Sequence, residues 1–429
     1  MRITSVAIAV GVVVAAGAAA TWFTKNQYNE AIANQLAKAT TYYDDMGLEV
    51  TRDVTQSSFF SLSDKITITA TKTMFENMAT GYVPDEPFKI SMLSNCAIMP
   101  LYLTCDTAFE TGSDELSAMI LEATENFDYS LSSSVNVLAS SINYTFVSQA
   151  LTHEEDGVSI NLKPMRFSSE SDLSMSEAEI EGSWDGLVME NSADQEKVTI
   201  GKMDVKMDIE YLEDLLYTGD TEMELAGFGV ENNTTGFSVA AEKIKLATRT
   251  WQREDDAFGV DYAITGDTFT ASGDMPIAVN DMVIKMKLEG MSQAAMKYLV
   301  GYNNSAAEME NPEAVAEMID TLGENPLSMT IEDISAVYND AELELDGKFD
   351  LQSFDMGILQ SGQMPGRVSG LLNVELDEKA PQVLPNLAPM LNQYVQMQMV
   401  EVDEEGDFST TIEIKDRKVT ANGQLVTEL

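Results

Sequence analysis

Histidine is almost missing from this sequence: His153, in "LTHEEDG", is its one copy among 429 residues. That scarcity excludes a zinc centre built from several His or Cys ligands, and no HExxH is present. A Ser-His-Asp or Cys-His arrangement would have to run through His153, which reads as a solvated residue in an acidic turn between two strand-like segments. Basic residues are also few, 25 Lys and Arg against 71 Asp and Glu. The resulting formal charge of −46 repels nucleic acid and anionic lipid head groups alike. Phosphate-binding loops are absent. "GKMD" at 201 to 204 lacks Walker spacing, and Gly227, Gly229 and Gly236 in "GFGVENNTTG" do not fit GxGxxG, so both read as turns. Paired carboxylates of glycosidase type have no distinguishing context among 71 acids. The expectation is a protein that is not an enzyme and that carries no cofactor and no metal.

The acidity itself reads first as a hydrated surface suited to a salty medium. The sharper reading, a calcium loop, has its best place in "EVDEEGDFSTTIE" at 401 to 413. There Asp403, Glu405 and Asp407 alternate, but Phe408 stands where an EF-hand loop requires glycine, and a strand pattern follows where a helix is needed. Two cysteines, Cys96 and Cys105, bracket "AIMPLYLT". In an oxidising compartment a disulfide between them is expected, with Pro100 suited to the intervening turn. Two independently buried thiols are the alternative.

What the chain does have is a long apolar run. "ITSVAIAVGVVVAAGAAATWF", residues 3 to 23, would make a helix of about 31 Å. Trp22 and Phe23 close it as membrane-interface anchors, and Lys25 follows as the exit into water. The reading is a transmembrane signal-anchor over residues 1–24, with a signal peptide cleaved near "AGAAAT" as the alternative. Arg2 before the run and the acidic bulk after it place the N-terminus in the cytoplasm. Tyr28, Ile32 and Leu36 then recur at helical spacing, which predicts a stalk helix over 25–47 ending at Gly47.

From residue 48 the period becomes two. "DKITITATKTMF", "KVTIGKMDVKMDIEYL", "DMVIKMKLEGM", "AELELDGKFDLQSF", "GRVSGLLNVELDE" and "FSTTIEIKDRKVTANGQLVTEL" each alternate apolar with Lys, Asp, Glu or Thr. Such rows predict an α+β, β-dominated body over 48–429, built of large twisted antiparallel sheets with a few covering helices. A soft division falls near 270–310. The covering helices are predicted at 113–127, 291–303, 311–322 and 386–400; the third is marked by Asn311 as cap, Pro312, Glu313 and a stop at Gly323. Twenty-six methionines read as adaptable core filling, or as the lining of a groove for an acyl chain.

The anchor ending in Trp22, "EGSWDG" at 181 to 186 read as a turn, the capped helix at 311 to 322, and the last helix followed by "TTIEIKDRKVTANGQ" resemble, in that order, the YdgA-like family of bacterial envelope proteins, whose function is unknown. The resemblance implies a single-pass inner-membrane protein of Gram-negative bacteria with a periplasmic body. It supplies no catalytic residues. Two function classes follow: a scaffold or envelope-maintenance factor acting through protein contacts or as a homodimer, and a lipid-handling protein with an apolar sheet face. The lipid bilayer, reached through residues 3–23, an envelope protein and a lipid ligand are the expected partners; an envelope hydrolase is the weakest alternative.

Overall fold

A computed structural model describes residues 3–43, 47–77, 87–111, 127–155, 157–174, 176–213, 216–254, 256–273, 276–302 and 312–429. The helix predicted at 113–127 and the cap at Asn311 lie outside these residues, Phe127 excepted. Among the described residues, the long helix α1 (Ile3–Tyr43) is followed by 24 strands, with shorter helices between some of them, that form a single antiparallel sheet where several were expected.

The strands are β1 (Leu48–Ser57), β2 (Ser61–Ala70), β3 (Phe88–Met99), β4 (Tyr102–Thr111), β5 (Tyr129–Asn136), β6 (Ser141–Ser148), β7 (Leu151–Glu155) and β8 (Val158–Leu162). Then come β9 (Met165–Asp172), β10 (Glu177–Trp184), β11 (Leu187–Asn191), β12 (Glu196–Ile200), β13 (Met203–Glu213), β14 (Leu216–Asn232), β15 (Phe237–Gln252) and β16 (Phe258–Ser272). The last are β17 (Ile277–Met291), β18 (Leu327–Tyr338), β19 (Ala341–Leu351), β20 (Val368–Leu376), β21 (Glu401–Val402), β22 (Phe408–Lys415), β23 (Lys418–Ala421) and β24 (Gln424–Glu428).

The pairing is a meander. β6 with β7, β8 with β9, β10 with β11 and β12 with β13 are each one long strand broken by two residues, and each long strand pairs with its neighbours in sequence. The sheet runs on through the soft division, since β17 pairs with β16 on one side and β18 on the other. "EGSWDG" is strand as far as Trp184 and breaks at Asp185 and Gly186.

These breaks align across the sheet. The Lys163 N–H donates to Gly186 O (2.9 Å), Asp185 N–H to Pro164 O (3.0 Å), Gly201 N–H to Gly227 O and Ala226 N–H to Lys202 O (both 2.7 Å). The ladder therefore crosses a crease without losing its hydrogen bonds. Gly186 sits at φ 109°, and a Cβ there would lie 2.2 Å from Ile200 O, so only glycine fits. Apolar residues on the two sides of the crease are three apart, as in Trp184 to Leu187 and Met203 to Ile200. Three is an odd step, so the strand alternation changes parity at this line.

The expected transmembrane helix is corrected here. No helix among the described residues is long and apolar enough to cross a membrane. The physical reason lies in how α1 is used: within two turns after Phe23 it carries Lys25, Asn26, Asn29 and Glu30, and its other side is spent on protein. Thr21 and Thr24 are fully buried, and the Leu101 N–H donates to Thr24 Oγ1 (2.8 Å). The stripe Tyr28, Ile32 and Leu36 is not a free stalk either. It packs on Leu62, Ile98, Leu103, Val135 and Ile142 of the first strands. A second core joins Leu216, Phe258 and Met291 to Ala295 and Met296 of the helix Gln293–Tyr302. Leu391 of the helix Ala388–Gln396 is buried.

Candidate functional site

Following the registers from Ile142 in β6 traces one face of the sheet. Ile142 faces Ser171, which faces Ala178, which faces Ile209. Two rows over, Phe167, Gly182, Val205, Met223, Leu246 and Ile264 stand side by side across six strands. The face continues through Ile284, Ile334, Leu345, Val374 and Thr410. Between the crease and Tyr211, Gln252 and Met291, and on through β18–β20 and β22, the described residues of this face in the paired registers carry no charge.

The other face carries the charge in its place. Glu179 and Glu181 lie beside Asp208 and Lys206, and Lys206 reaches both glutamates at 3.7 Å. Lys245 bonds Glu224 at 2.9 Å, and Arg249 lies 3.7 Å from Asp220. Acid also opposes acid directly, as at Glu179 and Glu170. These pairs are exposed and contribute little each, so the face is held wet and ordered by packing beneath it.

The uncharged face is not sealed. Phe167, Ile180, Trp184, Val205, Met223 and Leu246 are all partly exposed. The Trp184 Nε1–H is itself buried and has no hydrogen-bond acceptor. The chain exposes 25127 Å² in all, whereas a compact 47.0 kDa monomer exposes about 16,000 Å². Among the described residues, helices cover the sheet where α1 packs on β2–β6 and where the helix Gln293–Tyr302 packs on β14, β16 and β17.

At the covered N-terminal end the polar groups are few and satisfied. Arg52 makes a bidentate pair with Asp64 through Nε and Nη2, the Asp64 side chain being 1% exposed, and Nη2 also donates to Asn29 Oδ1 of α1 (2.8 Å). The Arg52 guanidinium also lies 5.7 Å from the centre of the Tyr28 ring. Burial, then the charge of Asp64, pushes the Tyr28 phenol above its ordinary range. Beneath α1, Cys96 and Cys105 face each other across β3 and β4 and form a disulfide, both nearly fully buried. Trp22 and Phe23 point outward, 62% and 44% exposed, and Lys25 Nζ donates to Ser57 Oγ and Ser58 O (2.5 and 2.8 Å). Sequence reasoning missed the Arg52–Asp64 pair; two opposite charges at strand positions twelve apart give no local signal.

His153 lies within β7, opposite Ile160, and not in a turn. "GFGVEN" closes β14, and only the residues after it turn. Carboxylate oxygens of Asp403, Glu405 and Asp407 lie within 4.8 Å of one another. One oxygen of Asp403 already accepts the N–H groups of residues 405, 406 and 407, which hold its carboxyl below the usual range, that of Asp407 foremost. β22 follows this loop directly, without the second helix of an EF-hand. Nearby, Glu342, Glu344, Glu375, Asp377 and Asp407 line an open acidic hollow. Partial desolvation and then Glu342, Glu375 and Asp333 raise the Glu344 carboxyl.

Residues 4–428 match the sequence profile of a family described as bacterial protein of unknown function (DUF945). The chain belongs to that family. No curated protein and no solved structure matches it.

Proposed function

We propose that this protein works in the bacterial cell envelope by holding the acyl chains of lipids against the uncharged face of its sheet. The observation that carries the reading is a partly exposed apolar surface, free of charge, spanning β9 to β18. Open apolar area of this extent is unfavourable in water and marks a binding surface. Methionines 203, 207, 223 and 282 supply side chains that adapt to mobile hydrocarbon. A buried disulfide supports an oxidising compartment, and the YdgA-like order of sequence features supports a periplasmic body. The reading is one of binding, with no catalytic step.

A scaffold that covers the same face with a partner protein is the second reading. It is favoured by the exposed Met189, Phe228, Phe237 and Phe269 beyond the crease. Native mass spectrometry of the full chain, isolated from the envelope fraction, decides between them. Bound phospholipid is expected, and it is expected to fall away in Met207→Asp/Met223→Asp, which puts two charges in the middle of the face. A folded protein free of lipid overturns the lipid reading, and a retained protein mass in its place supports the scaffold.

A further inference from the structure

Three hairpin turns share one edge of the sheet: β1 to β2, β3 to β4 and β5 to β6. Surface turns are ordinarily polar, because their backbone and side chains meet water. These read "QSSFFS" at 56 to 61, "AIMPLY" at 97 to 102 and "NVLASS" at 136 to 141, eighteen residues without one acid or base. In a chain where 71 of 429 residues are acidic, that stretch of edge is the exception.

Their tips carry large apolar side chains into solvent. Phe60 is 67% exposed and Leu138 80%, with Phe59 and Met99 also exposed. Phe59 and Phe60 form an edge-to-face pair with centroids 4.8 Å apart. The three turns are fastened together: the Ile98 N–H donates to Phe60 O (2.8 Å) and Val137 N–H to Leu101 O (3.0 Å). They are also fastened to α1 through Lys25 at Ser57 and Ser58 and through Thr24 at Leu101. Trp22 and Phe23 therefore stand at the same edge, and the apolar sequence before them leads into it. The character ends one hairpin later, where Asp172 and Glu177 flank the turn from β9 to β10.

We infer that this edge rests on a lipid bilayer, with Phe60, Leu138 and Trp22 in the interfacial layer. Aromatic and aliphatic tips around a single lysine suit the boundary between head groups and hydrocarbon. The occupant is chosen by charge. A second copy would bring another −46, whereas a zwitterionic surface meets a margin of the N-terminal strands that carries no acid. The inference uses residues distinct from the lipid-holding face and does not rest on it.

Hydrogen exchange of the full chain with and without phosphatidylcholine vesicles tests it. Turn amides at 57–61, 99–102 and 137–140 are expected to slow by about fivefold or more on vesicles, while the turn at 233–236 is unchanged. Phe60→Ser/Leu138→Ser, two exposed positions whose change spares the core, is expected to weaken vesicle partition about tenfold or more. Equal exchange at all four turns on vesicle-bound protein, or equal partition of the folded variant, overturns the inference. Either result leaves the sheet-face reading standing, because that rests on co-purified lipid.

Discussion

Strands β3–β6 and strands β9–β14 are written in the same alternating pattern and meet different fates. In the first group Leu103, Val135 and Ile142 are at most 1% exposed beneath α1. In the second, Ala178 and Ile209 continue that row and are still buried, whereas Val205, Met207 and Met223 on the rows beside it stay partly open. Alternation records that a face is apolar; it does not record what lies on it. What α1 adds is a cover over the first group, where it packs on Leu62, Ile98, Leu103, Val135 and Ile142.

Breaking the covered end has the largest expected effect. Arg52→Ala leaves Asp64 buried without its partner and is expected to cost about 3–5 kcal/mol of stability, read from urea unfolding. A loss under about 1 kcal/mol would mean that α1 does not seal that pair from water. The next test sets the two regions side by side. Leu103→Ala is expected to cost about 2–5 kcal/mol, whereas Met207→Ala in the open region costs below about 1 kcal/mol. Equal costs would show that the central face is covered after all.

The smallest effect sharpens the border between the regions. Partial burial raises the Asp172 carboxyl, but hydrogen bonds from Ser174, the Glu177 N–H and Ser176 outweigh it and hold the pKa at about 2. A folded-state pKa below the unfolded value stabilises above the unfolded pKa and fades as pH falls through the folded one. Asp172 is partly exposed, so about 1 kcal/mol is expected, present at pH 5 and lost between about pH 4 and pH 2. Asp172→Asn should flatten that part of the melting-temperature profile. An unchanged profile would remove this turn from the acid response.

Much of the fold was legible because its signals are local. Period-two rows such as "KMDVKMDIEY" became strands with the expected faces, and Pro312, Glu313 and Gly323 frame the helix Pro312–Leu322. What the sequence hid is non-local. Tyr28, Ile32 and Leu36 make the same stripe on a free stalk as on a docked helix, so α1 was misread. Pro164, Gly186, Gly201 and Gly227 look like four separate interruptions until the registers line them up. The uncharged face was half legible: each row could be read, but its openness depends on where the helices end.

The meander has a consequence for how such a protein is made. From β14 to β20 each strand bonds the one just before it, so a growing or threading chain there finds its template already in place and does not wait for distant sequence. By the same logic, a matched pair of neighbouring strands could be added or lost over evolutionary time without rerouting the remainder.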